Sequence, residues 1–194
     1  SGSYLNTPYF FAIAQNKDLT FSPRFYSDDK ILLQNEYRQV NNNSSHISDF
    51  SFYSGNKEDS KSHFFYEFNK DYKSDKFEKN MITLKIQQTS DDTYLKLNKL
   101  KSKIIQEDNT LENNLNIKLY SNDLDIETEF KSYENLSKND NDRYEYILPK
   151  LTLVKRIENK SKFLGNFSFK SENLIKNYDT NVYEKTNINN FIFN

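Results

Sequence analysis

Apolar and polar residues alternate along several stretches of the chain. In the segment LNIKLYSNDLDIETEF, every second position on each arm carries an apolar residue or threonine: Leu115, Ile117, Leu119, then Leu124, Ile126, Thr128 and Phe130. Successive side chains of a β-strand point to opposite faces of the sheet, so a period of two predicts a strand with one apolar face and one polar face. The segment therefore predicts two such strands in succession.

A tight turn is predicted between these two strands. A two-residue loop at Ser121–Asn122 closes a hairpin that sets Leu119 opposite Leu124 and Lys118 opposite Asp125. Apolar then meets apolar and cation meets anion, and each cross-strand pair contributes about 0.2–1 kcal/mol. We expect this hairpin because one register satisfies both of its faces.

The same period of two recurs along the rest of the chain. It is found in four further groups of residues: Phe64, Tyr66 and Phe68; Ile82, Leu84 and Ile86; Tyr144, Tyr146 and Leu148; Phe163, Phe167 and Phe169. Short polar connections tend to alternate with long ones, which is typical of an up-and-down meander. The prediction is an all-β fold, an antiparallel meander of about ten strands, with residues 1–194 as one domain.

One segment allows a different local structure. Leu97, Leu100 and Ile104 have helical spacing within Thr93–Gln106, so a helical turn or two is an open alternative there. The longest apolar run, Tyr9–Ala14, falls well short of the roughly 18 residues of a membrane helix.

The polar faces of the predicted strands are densely charged, and two interpretations follow. A soluble β-sandwich or β-barrel buries the apolar face against other parts of the same chain. An outer-membrane barrel instead turns that face towards lipid and its polar face towards a wet lumen. Strands of about 9–11 residues and a row of charges favour the membrane barrel, the charges being Asp125, Glu127, Glu129 and Lys131.

Composition and charge exclude several classes of site. The 194 residues carry a net charge of −1, which gives no field that would attract nucleic acid or an anionic membrane surface. The chain has no cysteine, which excludes disulfides, cysteine-bound zinc and thiol nucleophiles. Aromatic residues make up 15% of the chain, all of them Phe and Tyr, and this argues against disorder.

Candidate chemistry is sparse. His46 and His63 are the two histidines, and neither has a metal-ligand or catalytic spacing. The pairs Asp28–Asp29 and Asp91–Asp92 are adjacent in sequence, so in extended segments their carboxylates point to opposite faces. The NDNDR run at residues 139–143 lacks the glycine and the closing glutamate of a calcium loop. No Ser-His-acid set is indicated by spacing, and the prediction is no enzyme, no cofactor and no metal.

The stretch PYFFAIAQNKDLTFSPRFYSDDKILLQNEYRQ, residues 8–39, resembles the first barrel strands of the LptD family of lipopolysaccharide-assembly outer-membrane proteins. The family pattern is a proline followed by aromatics, then D-x-T-x-T-P-R/x-aromatic, then E-aromatic-R. The matching residues are Pro8, Tyr9, Phe10, Ile13, Ala14, Asp18, Thr20, Pro23, Arg24, Phe25, Glu36, Tyr37 and Arg38. The segment TSDDTYL, with Asp91, Asp92 and Tyr94, and the segment YILPKLTL resemble later parts of the same barrel. The family's periplasmic domain and later strands are missing, so the chain is expected to be a fragment.

The resemblance implies a fold and a function. The fold is the N-terminal part of an outer-membrane β-barrel in a Gram-negative bacterium. The function is the passage of lipopolysaccharide through the lumen and a lateral gate into the outer leaflet, without catalytic residues or cofactors. Pro8 and Pro23 match prolines that weaken the gate.

The implied partners are lipopolysaccharide, outer-membrane lipid, a plug lipoprotein of the LptE type and a periplasmic bridge protein of the LptA type, with no nucleic acid. A soluble β-rich module that binds glycans or proteins is the alternative. An outer-membrane enzyme such as a phospholipase is a third, disfavoured because the sequence shows no nucleophile–base set.

Overall fold

The structure is a computed structural model that describes residues 3–55, 58–157, 167–178 and 182–193. The described residues form twelve β-strands: β1 (Tyr4–Asn6), β2 (Tyr9–Ala14), β3 (Lys17–Tyr26), β4 (Lys30–Val40), β5 (Ser44–Gly55), β6 (Glu58–Tyr72), β7 (Lys79–Thr89), β8 (Thr110–Tyr120), β9 (Leu124–Asn135), β10 (Tyr144–Ile157), β11 (Phe167–Tyr178) and β12 (Val182–Phe193). One α-helix, α1 (Tyr94–Asn98), and one 3₁₀ turn, Asn141–Arg143, complete the description. Phe163, predicted on a strand, lies outside the described residues.

The strands form one antiparallel sheet in which neighbours along the chain are neighbours in the sheet. The order runs from β1 through β3 to β12, and β2 also pairs with β3. This confirms the predicted all-β, up-and-down meander. No pairing among the described residues joins β12 to β1 or β2. From β3 onward the strands are 10 to 15 residues long, longer than the five or six usual in soluble sheets.

β1 and β2 are two pieces of one edge strand. Asn6 pairs with Arg24 and Tyr9 pairs with Phe21, so both pieces keep the same register on β3. The break falls at Thr7 and Pro8, where proline removes a backbone N–H donor. The two pieces therefore count as a single strand. The described sheet then has eleven strands side by side, close to the predicted number of about ten.

The hairpin between β8 and β9 turns one residue later than predicted. The Ser121 N–H donates to the Leu124 carbonyl at 2.9 Å, which leaves Asn122 and Asp123 as the loop. The predicted loop at Ser121–Asn122 is therefore wrong. The Ser121 hydroxyl explains the shift, because it accepts a hydrogen bond from the Leu124 N–H at 3.0 Å and so favours closure at that position.

The shift changes the charge pairing of the hairpin but not its faces. The Lys118 ammonium lies 3.4 Å from the Glu127 carboxylate, not opposite Asp125 as predicted. Moving the loop by one residue slides the strands by two positions relative to each other. Side chains alternate with a period of two, so each residue stays on its predicted face.

The connection between β7 and β8, residues 90–109, contains α1 and is called the insertion below. Tyr94 and Leu95 of α1 are buried, and the helix ends at Lys99 in a left-handed conformation (φ 46°). Leu100 and Ile104 are also buried. The helical alternative predicted for this segment is confirmed, but Leu97 is 71% exposed and does not share the buried face. No helix in the described part of the chain is both long and apolar enough to cross a membrane.

The chain divides into two compact units. Unit 1 comprises Ser1–Phe68, Lys85–Leu111 and Asn135–Ser137, and unit 2 comprises Asn69–Leu84, Glu112–Glu134 and Lys138–Asn194. The buried apolar cluster lies wholly within unit 1: Leu32, Tyr53, Phe65, Tyr94, Leu95, Leu100, Ile104, Leu111 and Leu136.

Unit 2 is built differently. Asn80 is the only fully buried residue among those described in this unit, and no apolar side chain reaches full burial there. The described residues of unit 2 thus form a sheet without a buried apolar cluster, which is unusual for a sheet surrounded by water. Its proline, Pro149, lies where the register of β10 is interrupted between Ile147 and Lys150, as expected for a residue without an N–H.

Candidate functional site

The two prolines of the family-like motif meet at the outer edge of the sheet. The Thr7 N–H donates to the Pro23 carbonyl at 3.1 Å. The N–H and C=O of a strand residue point to the same side, so the missing N–H of Pro23 faces Thr7 and the reciprocal bond cannot form. Pro8 is the next residue, and its ring nitrogen faces away from β3. The structure therefore brings both predicted prolines to one break in the edge strand.

Strand β5 of unit 1 buries polar side chains and exposes phenylalanines. Asp49 is 0% exposed and Ser51 3%, whereas Phe50 is 43% and Phe52 47% exposed. On the neighbouring strand β6, Phe64 is 43% exposed. We call the side of unit 1 that carries Asp49 and Ser51 the covered face, and the side that carries the three phenylalanines the open face. Leu32, Tyr53 and Phe65 are apolar strand residues that are buried in the same cluster of unit 1.

The covered face holds a connected set of buried polar groups. The Asp49 carboxylate lies 2.7 Å from Nε2 of His63, and Nδ1 of His63 lies 2.6 Å from the Ser51 hydroxyl. Nε2 of Gln34 donates to Oδ2 of Asp49 at 2.9 Å. The hydroxyl of Tyr94, from the insertion, lies 2.6 Å from the Ser51 hydroxyl. Buried polar groups are tolerated when each finds partners, and this set supplies them.

Sequence reasoning missed this set, although its residue types are those of a serine hydrolase. Asp49 and Ser51 are two positions apart on one strand, so their side chains share a face. His63 reaches both from the next strand, and that lateral contact has no sequence spacing to indicate it. The spacing of these residues did not indicate a Ser-His-acid set, and the structure brings one together through contacts between neighbouring strands.

The contacts of Ser51 indicate a structural role for this set. Its hydroxyl lies between His63 and Tyr94, and the residue is 3% exposed, so the Tyr94 side chain covers the oxygen. Burial raises the pKa of Tyr94 to about 12, so this hydroxyl stays neutral and hydrogen-bonded at ordinary pH. The set attaches the insertion to the covered face.

Further polar contacts hold the insertion in place. Gln34 donates to the Lys101 carbonyl at 3.2 Å, and Gln87 donates to the Ile104 carbonyl at 3.4 Å. Nη1 of Arg24 donates to the Asn98 carbonyl. Arg24 is 8% exposed and belongs to the family-like motif, so this motif residue lies under the insertion. Its Nε has no hydrogen-bond partner among the described residues.

The second family-like segment begins the insertion. Asp91 accepts hydrogen bonds from the Thr93 hydroxyl at 2.7 Å and the Thr93 N–H at 3.0 Å, and its carboxylate lies 2.9 Å from the Lys61 ammonium. These contacts, the Thr93 hydroxyl first, hold the pKa of Asp91 below its ordinary value. Asp92 is half-buried beside it. Asp91 thus fixes the point where the chain leaves β7, and Tyr94 follows on the covered face.

The remaining predicted positions lie on β2, β3 and β4. Tyr9 and Phe10 are 55% and 62% exposed on the edge strand. Asp18 faces Arg38, and its carboxylate lies 2.8 Å from the Arg38 guanidinium. Two further motif residues form a cross-strand pair between β3 and β4, with Thr20 opposite Glu36. The motif residues therefore gather in one corner of unit 1.

The charged row predicted on β9 in unit 2 forms ion pairs. The Lys131 ammonium lies 3.0 Å from Glu129 and 3.8 Å from Glu112. Arg156 pairs with Asp125 on the neighbouring strand. On the alternate positions of β9, Phe130 is 37% exposed. β9 thus carries charged side chains on one face and Phe130 on the other, as the alternation predicts.

The described residues offer no metal site, since no three His, Asp or Glu side chains come together in a way that could hold an ion. His46 is used otherwise, because its Nδ1 lies 2.9 Å from the Tyr66 hydroxyl and its ring lies against Phe68.

A scan of the chain against models of known protein families finds no match, and a search of curated proteins finds no relative.

Proposed function

We propose that this chain forms the N-terminal wall of an outer-membrane β-barrel that passes lipopolysaccharide through its lumen and a lateral gate into the outer leaflet. The observation that carries the proposal is the inverted burial of β5, with Asp49 and Ser51 buried and Phe50 and Phe52 open. In water, moving a phenylalanine from exposed to buried is favourable by about 1.5–3 kcal/mol. A sheet that leaves these rings open fits a lipid surrounding.

Strand length and the missing core of unit 2 support a bilayer setting. A tilted membrane strand requires about 9–11 residues. The strands from β3 to β12 meet this length, with 10 to 15 residues each. Unit 2 has no buried apolar cluster among its described residues, so lipid on one face and a charged lumen on the other would supply what a core supplies elsewhere.

The proline break supports the gate. A barrel closes when its first and last strands pair, and each backbone hydrogen bond lost at that seam weakens it by about 0.5–1.5 kcal/mol. Pro8 turns its donor-less nitrogen towards the free edge, and Pro23 weakens the pairing just behind it. An edge strand prepared in this way opens more readily than a continuous one.

Lipopolysaccharide fits the two faces of such a wall. It combines acyl chains with a phosphorylated sugar head, and the proposal gives the head a polar side and the acyl chains an apolar side. The resemblance to the LptD family adds a plug lipoprotein of the LptE type and a periplasmic bridge of the LptA type as proposed partners. Passing lipopolysaccharide through the lumen and the lateral gate requires no catalytic residue in this chain.

Membrane partitioning tests the wall. The intact protein should sediment with outer membranes, require detergent for extraction, and run at a different apparent mass before and after heating. Protein that stays in the soluble fraction without detergent would exclude the membrane barrel and favour the soluble binding module.

Crosslinking tests the gate separately. The 194 residues contain no cysteine, so a cysteine placed at Thr7 is the only thiol that this part of the barrel offers to a second cysteine placed on the last strand of the intact protein. Lipopolysaccharide delivery should stop when the seam is oxidised and return after reduction. Each single-cysteine variant is the matched control. Delivery that continues through the locked seam would exclude the lateral gate.

The soluble β-rich binding module is favoured by one observation, which is the insertion. Tyr94, Leu95 and Leu100 build a real hydrophobic core with the covered face of unit 1, as a soluble domain does. In this alternative the open phenylalanines would contact a glycan or a protein. The partitioning experiment distinguishes the two functions.

A further inference from the structure

An open pocket of about 470 Å³ lies at the hairpin that joins β2 to β3. Arg38 forms part of its lining and lies on the covered face, because it is separated from Leu32 and Gln34 by even numbers of residues along β4. Lys103 of the insertion lines the same pocket. The pocket is therefore enclosed by the edge hairpin on one side and by the insertion on the other.

Small side chains provide the space. Ala12 and Ala14 line the pocket, and the register between β2 and β3 shifts between these two residues. Phe10, 62% exposed, lines the pocket on the same strand. The lining thus offers an apolar wall and a floor without bulky groups.

The charged residues of the lining are mostly cationic. Lys17, Arg38 and Lys103 contribute three positive charges, and Asp18 contributes the single carboxylate. The chain as a whole has a net charge of −1, so the excess of positive charge is local. The Asp18 carboxylate is already held by Nε of Arg38 at 2.8 Å.

Most of the donors in the pocket have no protein partner. Within the described residues, the ammonium groups of Lys17 and Lys103 make no ion pair. Arg38 donates a hydrogen bond through Nε to Asp18, and the same Nε lies 3.7 Å from the Glu36 carboxylate, so two carboxylates flank this guanidinium. Its two terminal amino groups have no hydrogen-bond acceptor within the described residues. Many other cations of the chain are paired; for example, Lys61 lies 2.9 Å from Asp91 and Lys30 lies 3.0 Å from Asp28. Lys17, Arg38 and Lys103 all belong to the lining of this one pocket.

We propose that this pocket binds a phosphate monoester. A phosphate carries up to two negative charges and accepts several hydrogen bonds, and the planar fork of an arginine matches two of its oxygens. The terminal amino groups of Arg38 contact the phosphate, and Lys17 and Lys103 approach it from the hairpin and the insertion. The body that bears the phosphate lies against Phe10 and the alanine floor.

The bearer of the phosphate is assigned from the proposed function, on which this one step rests. In the barrel, the pocket opens on the lumen side beside the strand interrupted at Pro8. The bearer is then a phosphorylated sugar head of a lipid, held next to the gate before it leaves the lumen. The anion site itself rests only on the pocket and its unpaired donors.

Calorimetric titration of the purified, detergent-solubilised protein tests the site. The probes are inorganic phosphate, glucosamine 6-phosphate and micelles of a phosphorylated glycolipid, each at low ionic strength. Glucosamine, which lacks the phosphate, is the comparison. We expect saturable binding of the phosphorylated probes that weakens as salt is added. The double variant Lys17→Gln/Lys103→Gln should weaken binding by at least about fivefold, and Lys17→Arg/Lys103→Arg should retain it.

The matched control is Lys96→Gln, an exposed lysine of the insertion that does not line the pocket. It should bind as the unmodified protein does. Equal binding by the double glutamine variant, or equal binding of glucosamine and its phosphate, would overturn the anion site. Circular dichroism of the double variant confirms that any loss is not caused by unfolding.

The three probes also separate the two sources of phosphate. Tighter binding of the glycolipid micelles than of glucosamine 6-phosphate supports the lipid headgroup. Equal binding of inorganic phosphate supports the anion site and overturns its assignment to a lipid. A protein that binds phosphate but does not partition into membranes refutes the barrel and leaves the anion site standing.

Discussion

Thr7 and Pro23 share one hydrogen bond where an antiparallel pair normally has two. The Thr7 N–H reaches the Pro23 carbonyl at 3.1 Å, and proline has no N–H to return to the Thr7 carbonyl. Pro8 follows at once and turns its nitrogen to the free edge. The missing reciprocal hydrogen bond of the edge strand and its missing outward donor therefore occur at neighbouring residues, Thr7 and Pro8.

Restoring the missing donor should tighten this edge. In Pro23→Ala the new N–H can bond to the Thr7 carbonyl, which is worth about 0.5–1.5 kcal/mol. Global stability should change little, because the flexible alanine also costs about 0.4–1 kcal/mol in the unfolded chain. Amide exchange at Thr7 should slow, and lipopolysaccharide delivery should fall. Ser22→Ala, on the adjacent residue, is the control and should leave the exchange of Thr7 unchanged.

The insertion should be released in steps as its polar attachment is removed. Tyr94→Phe deletes one hydroxyl, and Ser51 keeps its contact with His63, so we expect a loss of about 1 kcal/mol in the free energy of unfolding of unit 1. His63→Phe leaves the Asp49 carboxylate buried with Gln34 as its remaining side-chain partner, and a loss of about 3–5 kcal/mol is expected.

Denaturant unfolding and limited proteolysis of the insertion measure both effects. Leu97→Ala is the control, because Leu97 is 71% exposed on the same helix. Equal destabilisation by the control and by His63→Phe would show that the buried polar set does not hold the insertion.

The attachment of the insertion should also depend on acid pH. The Thr93 hydroxyl and Lys61 lower the pKa of Asp91 below its ordinary value of 3.8. A depressed folded pKa gives stability that is present above the unfolded value and is lost as pH falls through the folded value. The fraction of molecules with the insertion open, measured by amide exchange relative to the intrinsic rate at each pH, should thus be constant from neutral pH down to about pH 4 and rise below it. Asp91→Asn should remove this rise, and a rise of equal size in that variant would refute the role of Asp91.

The Ser51–His63–Asp49 contacts predict a structural role and no hydrolysis. A fluorophosphonate probe, which labels activated serines, should not label Ser51 while Tyr94 covers it. Mass spectrometry of the labelled protein provides the measurement, and Ser51→Ala provides the blank. Labelling of Ser51 in the unmodified protein would contradict this role and revive the enzyme alternative.

The sequence predicts structural features that depend on neighbouring residues better than features that depend on contacts between distant parts of the chain. Alternation predicted the meander and the faces of β8 and β9, because a period of two is local. The one-residue error at Ser121 left those faces intact, since the Ser121 hydroxyl changed the turn and slid the register by two positions. The sequence therefore predicts the face on which a strand residue lies more reliably than it predicts the residue opposite it on the next strand.

Contacts across strands were not readable in the same way. His63 reaches Asp49 and Ser51 laterally, and nothing in the spacing of these residues announces it. The insertion showed its helical spacing, but Leu97 shared that spacing and lies exposed, because the helix ends at Lys99 before the pattern is complete. The prolines were noticed as anomalies, and their meeting at Thr7 required the pairing of β1 with β3.

The open face gives the most direct test of the surroundings of this sheet. Phe52→Glu places a charge at an open position of β5, and Leu97→Glu places the same charge at an exposed position outside the sheet. In water both side chains are accessible, so a soluble module should tolerate the two variants alike. In a bilayer a charge on the lipid face costs up to about 2–4 kcal/mol near the midplane. We therefore expect Phe52→Glu to reduce the yield of heat-modifiable protein in the membrane fraction and Leu97→Glu to leave it unchanged. Equal yields from the two variants would mean that Phe52 does not face lipid.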